Sequence, residues 1–166
     1  DIQNEFVYAA SLDYSRPKLN AALAFAYTDG PNSGEMEMGL APYANSDKRI
    51  FAYVNSQLDE HMWNGLKTFK LSADYDIGSL FGLPNLLVGA SINYGWGLIV
   101  PGQSERGTML EIDYFIAYTF TEGILNGLSA SVSPAHLRTD DFYNGVYGKA
   151  DADDIQFMVS YTKMLK

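Results

Sequence analysis

The feature that most constrains this chain is a period of two. Apolar residues alternate with small or polar ones over segments of about 10 to 13 residues, several times along the sequence. On a strand successive side chains point to opposite faces, so each such segment reads as a β-strand with one apolar face. Phe6, Tyr8, Ala10, Leu12 and Tyr14 alternate with Val7, Ala9, Ser11, Asp13 and Ser15. Past Arg16-Pro17, Leu19, Ala21, Leu23, Phe25 and Tyr27 oppose Asn20, Ala22, Ala24, Ala26 and Thr28. A long irregular stretch follows, and then Phe69, Leu71, Ala73, Tyr75 and Ile77 oppose Thr68, Lys70, Ser72, Asp74 and Asp76. Leu86, Val88, Ala90, Ile92, Tyr94 and Trp96 run against Leu87, Gly89, Ser91, Asn93, Gly95 and Gly97. Leu110, Ile112, Tyr114, Ile116, Tyr118 and Phe120 run against Glu111, Asp113, Phe115, Ala117 and Thr119. Two more strands begin near Leu128 and Asp154, the last setting Ile155, Phe157, Val159 and Tyr161 against Gln156, Met158, Ser160 and Thr162.

Segment length separates a soluble sheet from a membrane one. Globular strands run to ~5–6 residues, whereas a tilted strand needs ~9–11 to cross a bilayer. The competing reading, a soluble sandwich or lipocalin with its apolar face turned inwards, calls for shorter strands. Aromatic residues make up 14% of the chain and include 12 Tyr. Tyr14, Tyr27, Tyr75, Trp96 and Phe120 fall towards strand ends on the apolar face, where a girdle at the lipid headgroups would sit. The fold expected is all-β: an antiparallel transmembrane β-barrel, with residues 1–166 forming one barrel segment and no separate domains.

Connections alternate in length. Residues 16–18, 82–85 and 121–127 are short links, whereas 29–66, 99–107 and 139–153 are long. Outer-membrane barrels have short periplasmic turns and longer extracellular loops, which orients the strands. Seven strands is an odd number, and nine if residues 29–66 hide a hairpin, while closed bacterial barrels are usually even. The chain therefore reads as part of a larger barrel. One hidden strand around Ile50 to Leu58 would give the alternative, a small eight-stranded outer-membrane barrel with a structural or adhesive role. Ala22, Ala24, Ala26, Gly89, Gly95 and Gly97 are too small to plug so narrow a barrel, which favours a wider, wet one.

Charge and composition remove other classes. The net charge is −9 and the 11 Lys and Arg residues form no basic cluster, so nucleic acid is not an expected partner. With no Cys, disulfide frameworks and Cys-ligated metals are absent. No apolar run approaches the roughly 18 residues of a membrane helix, and the mean hydropathy of −0.12 is uninformative for alternating strands. The sequence opens on Asp1 with no signal peptide, as in a processed chain or a piece of one.

Candidate functional residues are the charges on the polar face, because the groups lining a pore set its selectivity. These are Asp13, Lys70, Asp74, Asp76, Glu111, Asp113 and Arg138. Acid outnumbers base in this set, so this part of the wall alone favours cations. Two other constellations are weaker. Ser133 and His136 form a Ser-His pair of the lipid-hydrolase kind, without a convincing acidic third member. His61, the other histidine, lies in the long irregular stretch. Asp140, Asp141, Asp151, Asp153 and Asp154 offer hard oxygen ligands of the kind Ca²⁺ takes, but lack EF-hand spacing and read by default as a solvated loop. No enzyme activity, cofactor or metal is expected.

The stretch KTFKLSADYDIGSLFGLPNLLVGASINYGWG, from Lys67 to Gly97, resembles a strand, G-L-P turn and strand late in the OprD-type porin family. LEIDYFIAYTFTEGILNGLSASVSPAHLR and DADDIQFMVSYTKML are similar to that family's last three strands, and NEFVYAASLDYSRPKLNAALAFAYTDG to an earlier hairpin. The resemblance implies the C-terminal portion of a substrate-selective diffusion channel of about 18 strands, often for small carboxylate-bearing nutrients, with a ladder of basic residues along the lumen. It also implies the outer membrane of a Gram-negative bacterium. The partners are then membrane lipid and small diffusing solutes, with self-association into a homo-oligomer a further option. This chain departs from the pattern in carrying Ser131 and Ser133 where Arg is common on the penultimate strand, with only Arg138 near the outer end. It also ends Met164-Leu165-Lys166 and not on an aromatic residue.

Overall fold

The structure, a computed structural model, describes residues 6–29, 57, 65–99, 104–147 and 151–162. Seven strands form one antiparallel sheet in chain order: β1 (Phe6–Arg16), β2 (Leu19–Asp29), β3 (Lys67–Asp76), β4 (Leu86–Leu98), β5 (Gly107–Thr119), β6 (Leu128–Thr139) and β7 (Ala152–Tyr161). They are 10 to 13 residues long, which at ~3.4 Å per residue is enough to cross a hydrocarbon core at the usual tilt. Each strand pairs with its chain neighbours, and β1 and β7 each pair on one side only among the described residues. The hidden strand or hairpin expected within 29–66 falls outside the described residues.

Two links are more ordered than the sequence suggests. Residues 78–81 form a one-turn helix, α1 (Gly78–Phe81), and Gly123–Leu125 a single 3-10 turn. The long link after β6 carries α2 (Asp141–Tyr147), and β7 starts at Ala152, two residues earlier than Asp154.

The register joins residues of like character. Leu12 faces Leu23, Leu23 faces Leu71, Leu71 faces Ile92 and Ile92 faces Ile112. Partners across an antiparallel pair share a face, so one face is a continuous apolar surface. It is exposed: Leu12 is 71%, Leu71 49%, Ile116 47% and Phe157 75% accessible. A soluble protein would hide such a surface, and one this large marks contact with lipid or another apolar partner. The rings on it cluster towards strand ends, with Tyr8 stacked on Tyr27, Tyr94 on Trp96, and Tyr118 edge-on to Phe120.

The opposite face is covered over part of its area. Thr68, Asn93, Glu111, Ala24 and Ala26 are buried there. One irregularity alters the alternation: the β4–β5 register shifts between Trp96 and Leu98, at Gly97 with φ 87°. A left-handed residue in a bulge costs little when it is glycine. The extra residue turns Leu98 from the outer face to the inner one, where it is fully buried with Leu66, Met109 and Leu137.

Candidate functional site: the inner wall

The inner face has two halves. At the long-connection end it is a small apolar core of Leu66, Leu98, Met109 and Leu137, with Ala152 packed against it. Helix α2 leans onto this end. A Cβ at Gly107 would meet Phe142 of α2 at 3.2 Å and Leu98 at 3.0 Å. Asp140 ties the helix start to β5, its Oδ2 accepting from the Thr108 N–H at 2.7 Å and the Thr108 hydroxyl at 2.8 Å. Gln57, from the long connection between β2 and β3, lies far across the sheet on the inner side. Its Nε2 donates to the Ser133 carbonyl at 3.1 Å and to Asp154 Oδ2 at 3.2 Å.

The short-turn end is open and polar. A groove of about 230 Å³ is lined there by Asp13, Ser15, Asn20, Ala22, Ser72 and Asp74. Asn20 Nδ2 donates to Asp74 Oδ2 at 2.8 Å, Ser15 Oγ to Asn20 Oδ1 at 2.7 Å, and Ser11 Oγ to Asp13 Oδ2 at 3.2 Å. Ala22, between Asp13 and Ser72 in the register, keeps the floor low.

Between the halves lies a charged band. Lys70 pairs in register with Asn93, and Asn93 with Glu111. Asp113 Oδ2 accepts from Ser91 Oγ at 3.0 Å, and the Lys70 ammonium feels the carboxylates of Asp113 and Glu111. Glu111 is on the inner face but fully buried. Phe115, among the polar positions of its strand, also points inwards, and a Cβ at Gly89 would overlap its ring.

Six of the seven candidate charges thus share the inner face: Asp13, Asp74 and Asp76 at the short-turn end, and Lys70, Glu111 and Asp113 in the middle. Asp76 also has a local role, its Oδ1 accepting from the Gly78 N–H that opens α1 at 2.8 Å. Arg138 is a correction. It pairs with Leu110, as its neighbour His136 pairs with Ile112, and so lies on the outer face. It is five positions on from Ser133, and an odd offset in a regular strand reverses the face. There its guanidinium binds Asp153 at 2.9 Å and lies 4.0 Å from Asp151.

The same parity parts Ser133, inner, from His136, outer, whose Nδ1 lies 2.7 Å from Asp153 Oδ1. The acids of the β6–β7 link also diverge. Asp140 holds Thr108, Asp151 Oδ1 accepts from the Thr139 N–H, Asp153 is outer and Asp154 inner. Two inner-wall groups, Asp154 and Gln57, escape the sequence reading. Alternation with Gln156 and Met158 signals Asp154, whereas nothing local signals Gln57.

A one-sheet wall of long strands, apolar and exposed outside, polar and partly covered inside, is a section of a transmembrane β-barrel. The family of outer membrane porins known as OprD matches residues 8–165, and the chain belongs to it. Its place is therefore the outer membrane of a Gram-negative bacterium. The fold is that of Acinetobacter baumannii OccAB1, with a TM-score of 0.79 at 21% identity over 96% of this chain and 37% of that one. It is also that of Pseudomonas aeruginosa OccK10 (OpdN), with a TM-score of 0.72 at 18% identity over 98% of this chain and 43% of that one. Pseudomonas aeruginosa OccK2 (OpdF), solved in complex with glucuronate, gives a TM-score of 0.71 at 17% identity, covering 95% of this chain and 39% of that one. The chain thus spans about two fifths of these barrels' length, as expected of a portion of a larger porin and not of a small eight-stranded barrel. No curated protein matches the chain.

Proposed function

We propose that the chain forms part of the wall of a water-filled channel through which small solutes diffuse passively across the outer membrane. The observation that carries this reading is the inversion of the sheet: its apolar face is exposed while charged and small polar side chains gather on the other. Such a sheet is stable where lipid meets one face and water or protein the other. Asp13, Lys70, Asp74, Asp76, Glu111 and Asp113 are then wall charges, acting through their field on whatever passes. No chemical step is assigned, and Ser133 and His136, on opposite faces, do not form a catalytic pair.

Purified full-length porin containing this chain tests the reading in a planar lipid bilayer. Stepwise insertion of ohmic channels in KCl is the expected outcome. A folded, membrane-inserted protein that conducts no ions would contradict it.

A further inference from the structure

Charge on this wall is sorted by face. Among the described residues, the strand cations other than Lys70 sit on the outer face. Arg16 lies beside the Tyr14 ring and Lys67 over the Tyr27 ring, both on the outer face. Arg138 is outer as well, paired with Asp153. Lys18 is in the β1–β2 turn, donating to Ser79 Oγ at 2.8 Å, and Arg106 precedes β5. The inner face keeps Asp13, Asp74, Asp76, Asp113 and Asp154, with Glu111 buried beneath. Lys70 faces the central pair, Asp113 and Glu111, and offsets their charge. Towards the short-turn end, the donors to Asp13, Asp74 and Asp76 are a hydroxyl, an amide and a backbone N–H. Neutral donors hold a carboxylate in place and leave its charge intact.

We infer that this wall makes the channel prefer cations, so that solutes carrying a positive charge pass more readily than carboxylates of the same size, with Asp13 and Asp74 setting the preference and Lys70 opposing it. The inference rests on the channel reading above. It runs against the carboxylate preference that the family resemblance implies. Its physical basis is the low-dielectric wall, which concentrates the field of a fixed charge in the lumen and raises the local concentration of counter-ions. At ~8 Å through water one such carboxylate changes the cation-to-anion ratio by about fivefold before screening by salt and by about twofold after it.

Reversal potentials of the full-length porin under a KCl gradient test this. The parent is expected to be cation-selective, Asp13→Asn and Asp74→Asn each to lower the potassium-to-chloride permeability ratio about twofold, and Lys70→Gln to raise it. Asp13 is exposed, so Asp13→Asn gives the answer even where Asp74→Asn disturbs folding through Asn20. Asp153→Asn removes an acid from the outer face, and the ratio is expected to stay as in the parent. A conducting but anion-selective parent overturns the inference and leaves the channel reading standing. Equal shifts from Asp153→Asn and Asp13→Asn also overturn it, whereas a protein that conducts nothing overturns the channel reading first.

Discussion

The two ends of the inner wall are built from the same alternation and end up in opposite states. Around Leu137 and Met109 the inner face is a closed core, each side chain 2% exposed or less, while around Asp13 and Ala22 it lies open as a groove. Strand parity decides which face a residue joins, and the chain laid over that face decides whether it becomes core or lining. The β6–β7 link returns over the first end, through α2 and the Asp140 latch, and among the described residues no link lies over the second. Small residues accordingly mean different things at the two ends. Gly95 makes room for Leu66 and Met109, whereas Ala22 leaves open space.

The largest expected effect comes from treating the closed end as the core it is. Leu137→Ala should cost about 2–5 kcal/mol in urea titrations of the refolded barrel, as a buried leucine deletion does. A cost below about 1 kcal/mol would mean that this end is as wet as the other. Next in size is a substitution on the outer face, used as a yardstick for both ends. Ile92→Arg should destabilise the barrel by roughly 2–4 kcal/mol, because the charge meets hydrocarbon at mid-strand. Smaller again is Asp140→Ala, which frees the start of α2 from Thr108 and should cost at most about 2 kcal/mol. Limited proteolysis of the 139–151 link should then accelerate while the strands stay protected, and unchanged cleavage would show that α2 is held by other contacts. Smallest in stability is Ala22→Leu at the open end, expected within about 0.5 kcal/mol of the parent yet lowering single-channel conductance by narrowing the groove. A conductance equal to the parent's in this variant would remove the groove from the conduction path.

The faces are legible in the sequence because period two is imposed by the backbone alone. Leu71 against Lys70, or Ile112 against Glu111 and Asp113, needs no tertiary information. What escapes depends on count or on distance. Nearness to the polar mouth suggests an inner Arg138, although five steps from Ser133 turn it outwards. Leu98 is inner because a bulge at Gly97 inserts one residue, and a glycine in a strand can mark a bulge without fixing it. The burial of Glu111, the reach of Gln57 to Ser133 and the latch from Asp140 to Thr108 are long-range contacts, and no local pattern encodes them.

The central claim is that one face of each strand meets lipid and the other water, and the absence of cysteine from the chain allows a direct test. Single cysteines at neighbouring positions of opposite parity, Ala22→Cys and Leu23→Cys on β2, Ser72→Cys and Leu71→Cys on β3, can be exposed to a charged, water-soluble thiol reagent in membranes. Ala24→Cys, one inner position nearer the closed end and 6% exposed, serves as the internal comparison. The account predicts rapid modification at 22 and 72, and almost none at 23, 71 and 24. Modification at 23 and 71 as fast as at 22 and 72 would contradict it, because the apolar face would then be in water.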